Sequence, residues 1–170
     1  MSKEIAQRIA FVVRDAGGRV VGRTKLQKLV YVLVQSGLEP ELPYTYKHYG
    51  PYSETVAAAA RDAHLLGFLR EREEPASWGG VYSVYSFDGP PDNQVDPVRI
   101  ELAHIAASAD AVELELAATA LLLAREGRND AWAETERRKP EKAAAGKLAK
   151  AKELYGRLVA VNTPVRLPAL

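Results

Sequence analysis

Apolar residues recur at helical spacing from the start of the chain. Ile5, Ile9, Val12 and Val13 share one side of a helix predicted from about Ser2 to Asp15. Gly17-Gly18 ends it, because glycine accepts the left-handed cap conformation. A second helical pattern places Leu26, Leu29, Val30, Leu33 and Val34 on its inner side and closes at Gly37. Thr24 reads as its N-cap, and Gln27 three residues on completes a capping-box pattern. The period then changes. Tyr44, Tyr46 and His48 alternate with Thr45, Lys47 and Tyr49, which predicts a strand ended by Gly50-Pro51. Ser53 is placed to cap a third helix with Val56, Ala59, Ala60, Ala63, Leu65 and Leu66 as its apolar positions. The stretches Phe68 to Glu73 and Val81 to Phe87 are predicted to pair as a hairpin across residues 76–80.

Beyond this the pattern is helical. Gly89-Pro90-Pro91-Asp92-Asn93 reads as a linker. Asp96-Pro97 gives an N-cap with proline in the first helical position, and Asp110 with Glu113 marks another helix start. That helix runs to Gly127 and is apolar nearly all round, from Leu114 to Ala124, so it is either buried deeply or shared with a partner. Further helices are expected from Asn129 to Arg138 and from Pro140 to about Val159. The tail from Asn162 to Leu170 is expected to be an extended arm or disordered. The order of elements predicts an α+β, mostly α fold: a winged-helix domain over residues 1–90 with a small β-hairpin wing, and a C-terminal helical region over 91–170 packed on it.

The 170 residues are 47% hydrophobic and 26% charged, enough to bury a core. There is no cysteine, which excludes disulfides and thiolate zinc sites. Charged residues interrupt the apolar N-terminal segment and the longest apolar run is too short for a bilayer, so a cytoplasmic protein with no membrane contact is expected. The net charge of +1 hides strong segregation. Residues 96–136 carry nine acids against three bases, and 137–157 carry eight bases against two acids. Residues 14–28 carry five bases and one acid. Such blocks either pair with one another or present a basic face.

Catalytic signals are weak. His48, His64 and His104 sit in no nucleophile elbow or zinc-binding helix motif. Glu113 and Glu115 point different ways from one helix, and Glu71, Glu73 and Glu74 lie on a hairpin strand where charge protects an edge. No phosphate-binding glycine loop is present. The reading is no enzyme, no catalytic residue, no metal and no cofactor. The tyrosines read as hydrogen-bonded core residues, with base stacking as the alternative.

Three blocks carry a family resemblance: Lys25-Leu26-Gln27-Lys28-Leu29, Tyr46-Lys47-His48-Tyr49-Gly50-Pro51-Tyr52-Ser53 and Leu65-Leu66-Gly67-Phe68-Leu69. Leu114 to Ala120 and Arg138-Lys139-Pro140 extend it. With these the chain resembles the YwgA-type family of uncharacterised bacterial and archaeal proteins, described as winged-helix transcriptional regulators. It is more distantly similar to Panacea-type antitoxin domains, which would imply a protein that holds another protein. Neither resemblance supplies catalytic residues.

Two function classes follow. The first is a nucleic-acid-binding regulator of transcription. Phosphate contacts need Lys or Arg, and the candidates are Arg19, Arg23, Lys25, Lys28, Arg61, Arg137, Arg138 and Lys139. The third helix, which should read the groove, offers Arg61 beside Glu54 and Asp62, a poor DNA surface. The gap from Leu38 to Tyr52 is also long for a helix-turn-helix. The second class is a protein-interaction module, antitoxin-like or homodimeric. The regulator is the first expectation and the interaction module its alternative.

Overall fold

The computed structural model describes residues 2–89 and 95–170. Helix α1 (Ser2–Asp15) lies against α3 (Glu54–Leu65). The contact is close because α3 offers Ala59, Ala60 and Ala63 while α1 brings Ala6, Ile9 and Val13, all buried. Small side chains shorten the distance between helix axes. Helix α2 (Arg23–Gln35) packs on α3 as well, with eight consecutive buried residues from Leu26 to Leu33.

A three-stranded antiparallel sheet covers one end of these helices. Its strands are β1 (Arg19–Val21), β4 (Arg70–Pro75) and β5 (Val81–Ser86), in the order β1-β5-β4. The β4–β5 hairpin forms where the alternating pattern predicts it. Strand β1 carries only Arg-Val-Val, too short to show a period of two, and the pattern gives no sign of it. Its partner fixes it: Val20 stands opposite Tyr85, and the amide of Gly22 donates to the Ser83 carbonyl at 2.7 Å.

Three local expectations are corrected. Thr24 does not cap α2. Gly22, at φ 100°, holds the cap position with no side-chain hydrogen bond, because the chain arrives straight from β1. Gly50-Pro51 does not end a strand but begins one: β2 (Thr45–Lys47) turns at His48-Tyr49 and pairs with β3 (Gly50–Tyr52), Tyr46 opposite Pro51. Leu65 and Leu66 do not face the core. They are 80% and 51% exposed, since the turn of the helix at Ala63 completes the face that α1 covers. Ser53 caps α3 as predicted, accepting from the Val56 amide.

Asp96 caps α4 (Pro97–Ser108), accepting from the Val98 and Arg99 amides, and Asp110 caps α5 (Ala111–Arg125). Of the predicted linker, residues 90–93 lie outside the described residues. Helix α5 is buried along all of Leu114–Leu123 because α2, β3, α6 (Ala131–Arg138) and α8 (Lys147–Ala160) surround it. Its apolar circumference is spent inside the chain. The helix expected from Pro140 to Val159 is two. Short α7 (Pro140–Ala143) stops, Ala145 and Gly146 take left-handed conformations at φ 57° and 79°, and α8 begins. The tail packs as an arm: Leu167 is buried, the Val165 amide donates to the Ser36 carbonyl, and the Tyr155 hydroxyl donates to the Pro168 carbonyl. Among the described residues no helix is long and apolar enough to cross a membrane.

Candidate functional site

The sequence blocks that stand out one by one converge in space around the start of α2. Each residue of Lys25-Leu26-Gln27-Lys28-Leu29 has a separate task set by helical geometry. Leu26 and Leu29 are in the core. Lys25 reaches the end of α4, donating to the carbonyls of Ala107 at 3.1 Å and Ala109 at 2.7 Å, where the helix leaves carbonyls unpaired and its dipole favours a cation. The Gln27 amide behaves like a strand partner for Ser53: it donates to the Ser53 carbonyl and accepts from the Ser53 amide, both at 2.9 Å. A buried amide so paired leaves no donor or acceptor unmet on that edge. The Gln27 side chain thus sets the entry of α3 rather than capping its own helix.

The β2–β3 hairpin is held from its other side by the basic run that ends α6 and continues into α7. The Arg138 guanidinium lies 5.0 Å from the Tyr46 ring centre, and the Lys142 ammonium 4.6 Å from that of Tyr49. Lys139 donates to the His48 carbonyl at 2.8 Å. Gly50 presses on α5: a Cβ there would stand 2.5 Å from Thr119 Oγ1, and φ is 90°, so glycine is required twice over.

Under this hairpin a cleft of about 370 Å³ opens between α2, α3, β4 and β5. Leu26, Val56, Ala57 and Ala60 form its apolar floor, and Tyr49, Tyr52 and Tyr85 its walls. Arg23, Lys47, His48, Arg61 and Glu71 supply its polar lining. Burial, with Glu71 nearby, pushes the Tyr85 hydroxyl up to about 12, so it stays neutral. Lys28 also lines the cleft, yet is only 2% exposed.

Lys28 belongs to a buried charge cluster. Glu115 on α5 accepts from Lys139 at 3.0 Å and from Lys142 at 2.7 Å. Lys28 feels the same carboxylate and both neighbouring ammoniums, but makes no hydrogen bond or ion pair among the described residues. Burial pushes its ammonium down to about 8, against the pull of Glu115 and with the push of Lys139 and Lys142. Thr119 Oγ1, one turn along α5 from Glu115, is buried and lacks a hydrogen-bond partner among the described residues.

A second buried network lies across the molecule. Arg99 on α4 contacts Asp15 at 2.6 Å and Glu39 at 2.7 Å. Arg14 shares Asp15, and Arg8 shares Glu39, both at 2.9 Å. It ties α1, α4 and the loop after α2 together.

The eight predicted phosphate-binding residues fall in three settings. Arg19 and Arg61 are exposed and make no hydrogen bond or ion pair among the described residues. Arg23 bonds Glu71 at 2.9 Å and Ser83 at 3.1 Å, and Arg137 and Arg138 bond Glu134 at 2.6 and 2.8 Å. Lys25, Lys28 and Lys139 are half-buried or buried, with the contacts described above. The structure brings Arg23, Lys28 and Arg61 to the cleft and joins Lys139 to Lys28 through Glu115. The segregated charge blocks largely pair with each other: Lys142 and Lys139 reach back to Glu115, and Lys147 to Asp110 and Glu113.

Sequence reasoning missed Glu115 as the hub. Its only signal was a carboxylate inside an otherwise apolar helix, which implies a buried partner. Two of the three histidines make structural contacts: His64 Nδ1 accepts from the Glu71 amide, and His104 packs under Gly17, while His48 lines the cleft. Among the described residues no group of three or more His, Asp or Glu side chains is placed to hold a metal ion.

No family model matches the chain. It is similar to the uncharacterized protein YwgA of Bacillus subtilis (strain 168), 34% identical over 70 residues. The match covers 41% of this chain, which spans 40% of that protein's length, and it supports a YwgA-like kinship without assigning an activity.

Proposed function

We propose that this chain is a non-catalytic, winged-helix-like binding module that works by holding a protein partner. The observation that carries this reading is the contrast on its own surface. Of the eight cationic candidates, six are occupied inside the chain or buried, while large apolar side chains are not. Trp78 at the tip of the β4–β5 hairpin is 74% exposed, Val81 beside it 57%, and Leu65 at the end of α3 80%. Aromatic and aliphatic anchors of this kind are enriched where proteins meet, and phosphate recognition needs free cations. A second copy of the chain is one such partner.

The test is recovery of partners on tagged protein from its own cell extract, with and without nuclease. A stoichiometric protein that survives nuclease and is lost in Trp78→Ser and Leu65→Ser variants supports the reading. Recovery of nucleic acid alone, released by salt, overturns it.

One observation favours nucleic acid as the second reading. The element order α1-β1-α2-β2-β3-α3-β4-β5 with sheet order β1-β5-β4 is that expected of a winged helix with the β2–β3 hairpin inserted between α2 and α3, and Arg19 and Arg61 make no hydrogen bond or ion pair among the described residues. On that reading a labelled duplex binds with steep salt dependence, and Arg19→Glu with Arg61→Glu weakens it uniformly across sequences.

A further inference from the structure

We propose that the cleft beneath the β2–β3 hairpin is a binding site for a small carboxylic acid with an aromatic or short apolar body, its carboxylate seated on the Lys28 ammonium. This site is separate from the exposed apolar residues of the proposed partner surface and stands whichever macromolecule that surface meets.

Three observations lead here. First, Lys28 is a residue only 2% exposed, yet its ammonium has no bonded partner among the described residues and borders the open space of the cleft. Buried charges are ordinarily paired. Second, the charge around it does not balance. Lys28, Lys139 and Lys142 share the single carboxylate of Glu115, and Glu115 spends both oxygens on the latter two. A visiting anion supplies what the cluster lacks. Third, the remainder of the cleft is apolar and aromatic. Val56, Ala57 and Ala60 line it together with Tyr49, Tyr52 and Tyr85, and about 370 Å³ falls within the range of small-molecule pockets.

The chemistry of the head group follows from the donor set. A phosphate brings about two charges and three acceptor oxygens, and is met by forks of Arg or rows of backbone amides. Here the buried donor is one ammonium, and Arg61, exposed in the lining, is a single guanidinium rather than a cluster. Arg23 at the lining is already committed to Glu71, whose carboxylate would repel a doubly charged group. A single carboxylate fits, with its apolar body against the tyrosines.

The experiment uses the full chain, ¹³C-labelled at methyl groups, titrated with benzoate, 3-phenylpropionate and indole-3-acetate, each beside its primary amide as an uncharged match. The proposal expects at least one acid to shift the methyl signals of Val56, Ala57 and Ala60, with affinity tenfold or more above its amide at pH 7. It expects Lys28→Met to erase that ratio while leaving the weak amide binding in place. The acid's affinity should be level from about pH 6, where the ligand is fully ionised, to about pH 8, and fall above it, as Lys28 loses its proton beside Glu115, Lys139 and Lys142.

Four results overturn the proposal: none of the three acids binds, acid and amide bind alike, the ratio survives Lys28→Met, or the shifts lie away from the cleft. Should Lys28→Met fail to fold, Ala57→Phe fills the floor instead, and acid binding that persists in it is equally fatal. A peptide with a free C-terminal carboxylate that binds far more tightly than every small acid would overturn the choice of a small ligand.

Discussion

Two buried ionic networks hold this molecule together, and they are built differently. Around Arg99, two carboxylates and three guanidiniums share the load: Asp15 meets Arg99 and Arg14, and Glu39 meets Arg99 and Arg8. Around Glu115, one carboxylate serves three ammoniums, and Lys28 is left without a bond. Guanidinium offers several donors in a fixed fork and can bridge two acids, whereas ammonium is a compact point charge that needs an acceptor of its own. The first network is saturated, and none of its residues lines the cleft beneath the β2–β3 hairpin. The second is unsaturated and opens onto one. Saturation marks a fastening between elements, and the missing acceptor marks a place where something else can bind.

Removing the hub of the unsaturated network should cost most. Glu115→Gln strands Lys139 and Lys142 without a carboxylate, and urea unfolding should show a loss of about 3–5 kcal/mol. Arg99→Met should cost less, about 2–3 kcal/mol by the same measurement, because Asp15 and Glu39 each retain one guanidinium. If the two losses come out equal, sharing of partners is not what distinguishes the networks.

Lys28→Met should act in the opposite direction. The folded state holds this group at about 8, against 10.5 for an ordinary lysine. Below pH 8 both folded and unfolded chains carry the charge, and burying it opposes folding. Between 8 and 10.5 the unfolded chain binds the proton more than the folded one, so native stability rises with pH and the penalty disappears. At pH 7 the methionine variant should therefore be more stable by about 2 kcal/mol, with the gain vanishing above about pH 10.5. Thermal melts at pH 7 and above pH 10.5 check it, and a destabilised variant at pH 7 would mean that Lys28 is already satisfied.

The smallest effect belongs to the surface. Glu134 is held down to about 2 by hydrogen bonds from Arg137 and Arg138. Its stabilising contribution is present above the ordinary carboxylate range and is lost as pH falls through about 2. Solvent screens this trio at the surface of α6, so Glu134→Gln should leave the urea midpoint at pH 7 nearly unchanged while the carboxyl signal at low pH vanishes from the carbon NMR titration.

The sequence reveals one side of this comparison better than the other. Helix ends were legible at Ser53, Asp96 and Asp110, where a side-chain oxygen next to an apolar period states its role locally. Gln27 was misread because its partner, Ser53, is 26 residues away, and a local capping pattern offers an equally good explanation. The basic run at 137–139 looked like a phosphate surface for the same reason. Charge is visible in one dimension, and Glu134, one helical turn from Arg137 and Arg138, is visible with it, but Glu115, Tyr46 and the His48 carbonyl become neighbours of the run only after the chain folds back. The cleft was not legible at all, since its lining comes from α2, both hairpins and α3, and no single stretch of chain contains it.

The C-terminal arm has a consequence for how the molecule is made. The amide of Val165 completes the carbonyl of Ser36, and Gly37 lies directly against Pro164 and Val165. A ribosome delivers residue 165 long after it has delivered residue 36. The end of α2 therefore waits, open, through the synthesis of the intervening helices, and is closed only when residues 164–165 emerge. Contacts this distant in sequence slow folding. Premature arrest would release a nascent product with its central helix unsealed, a natural target for chaperones and proteases.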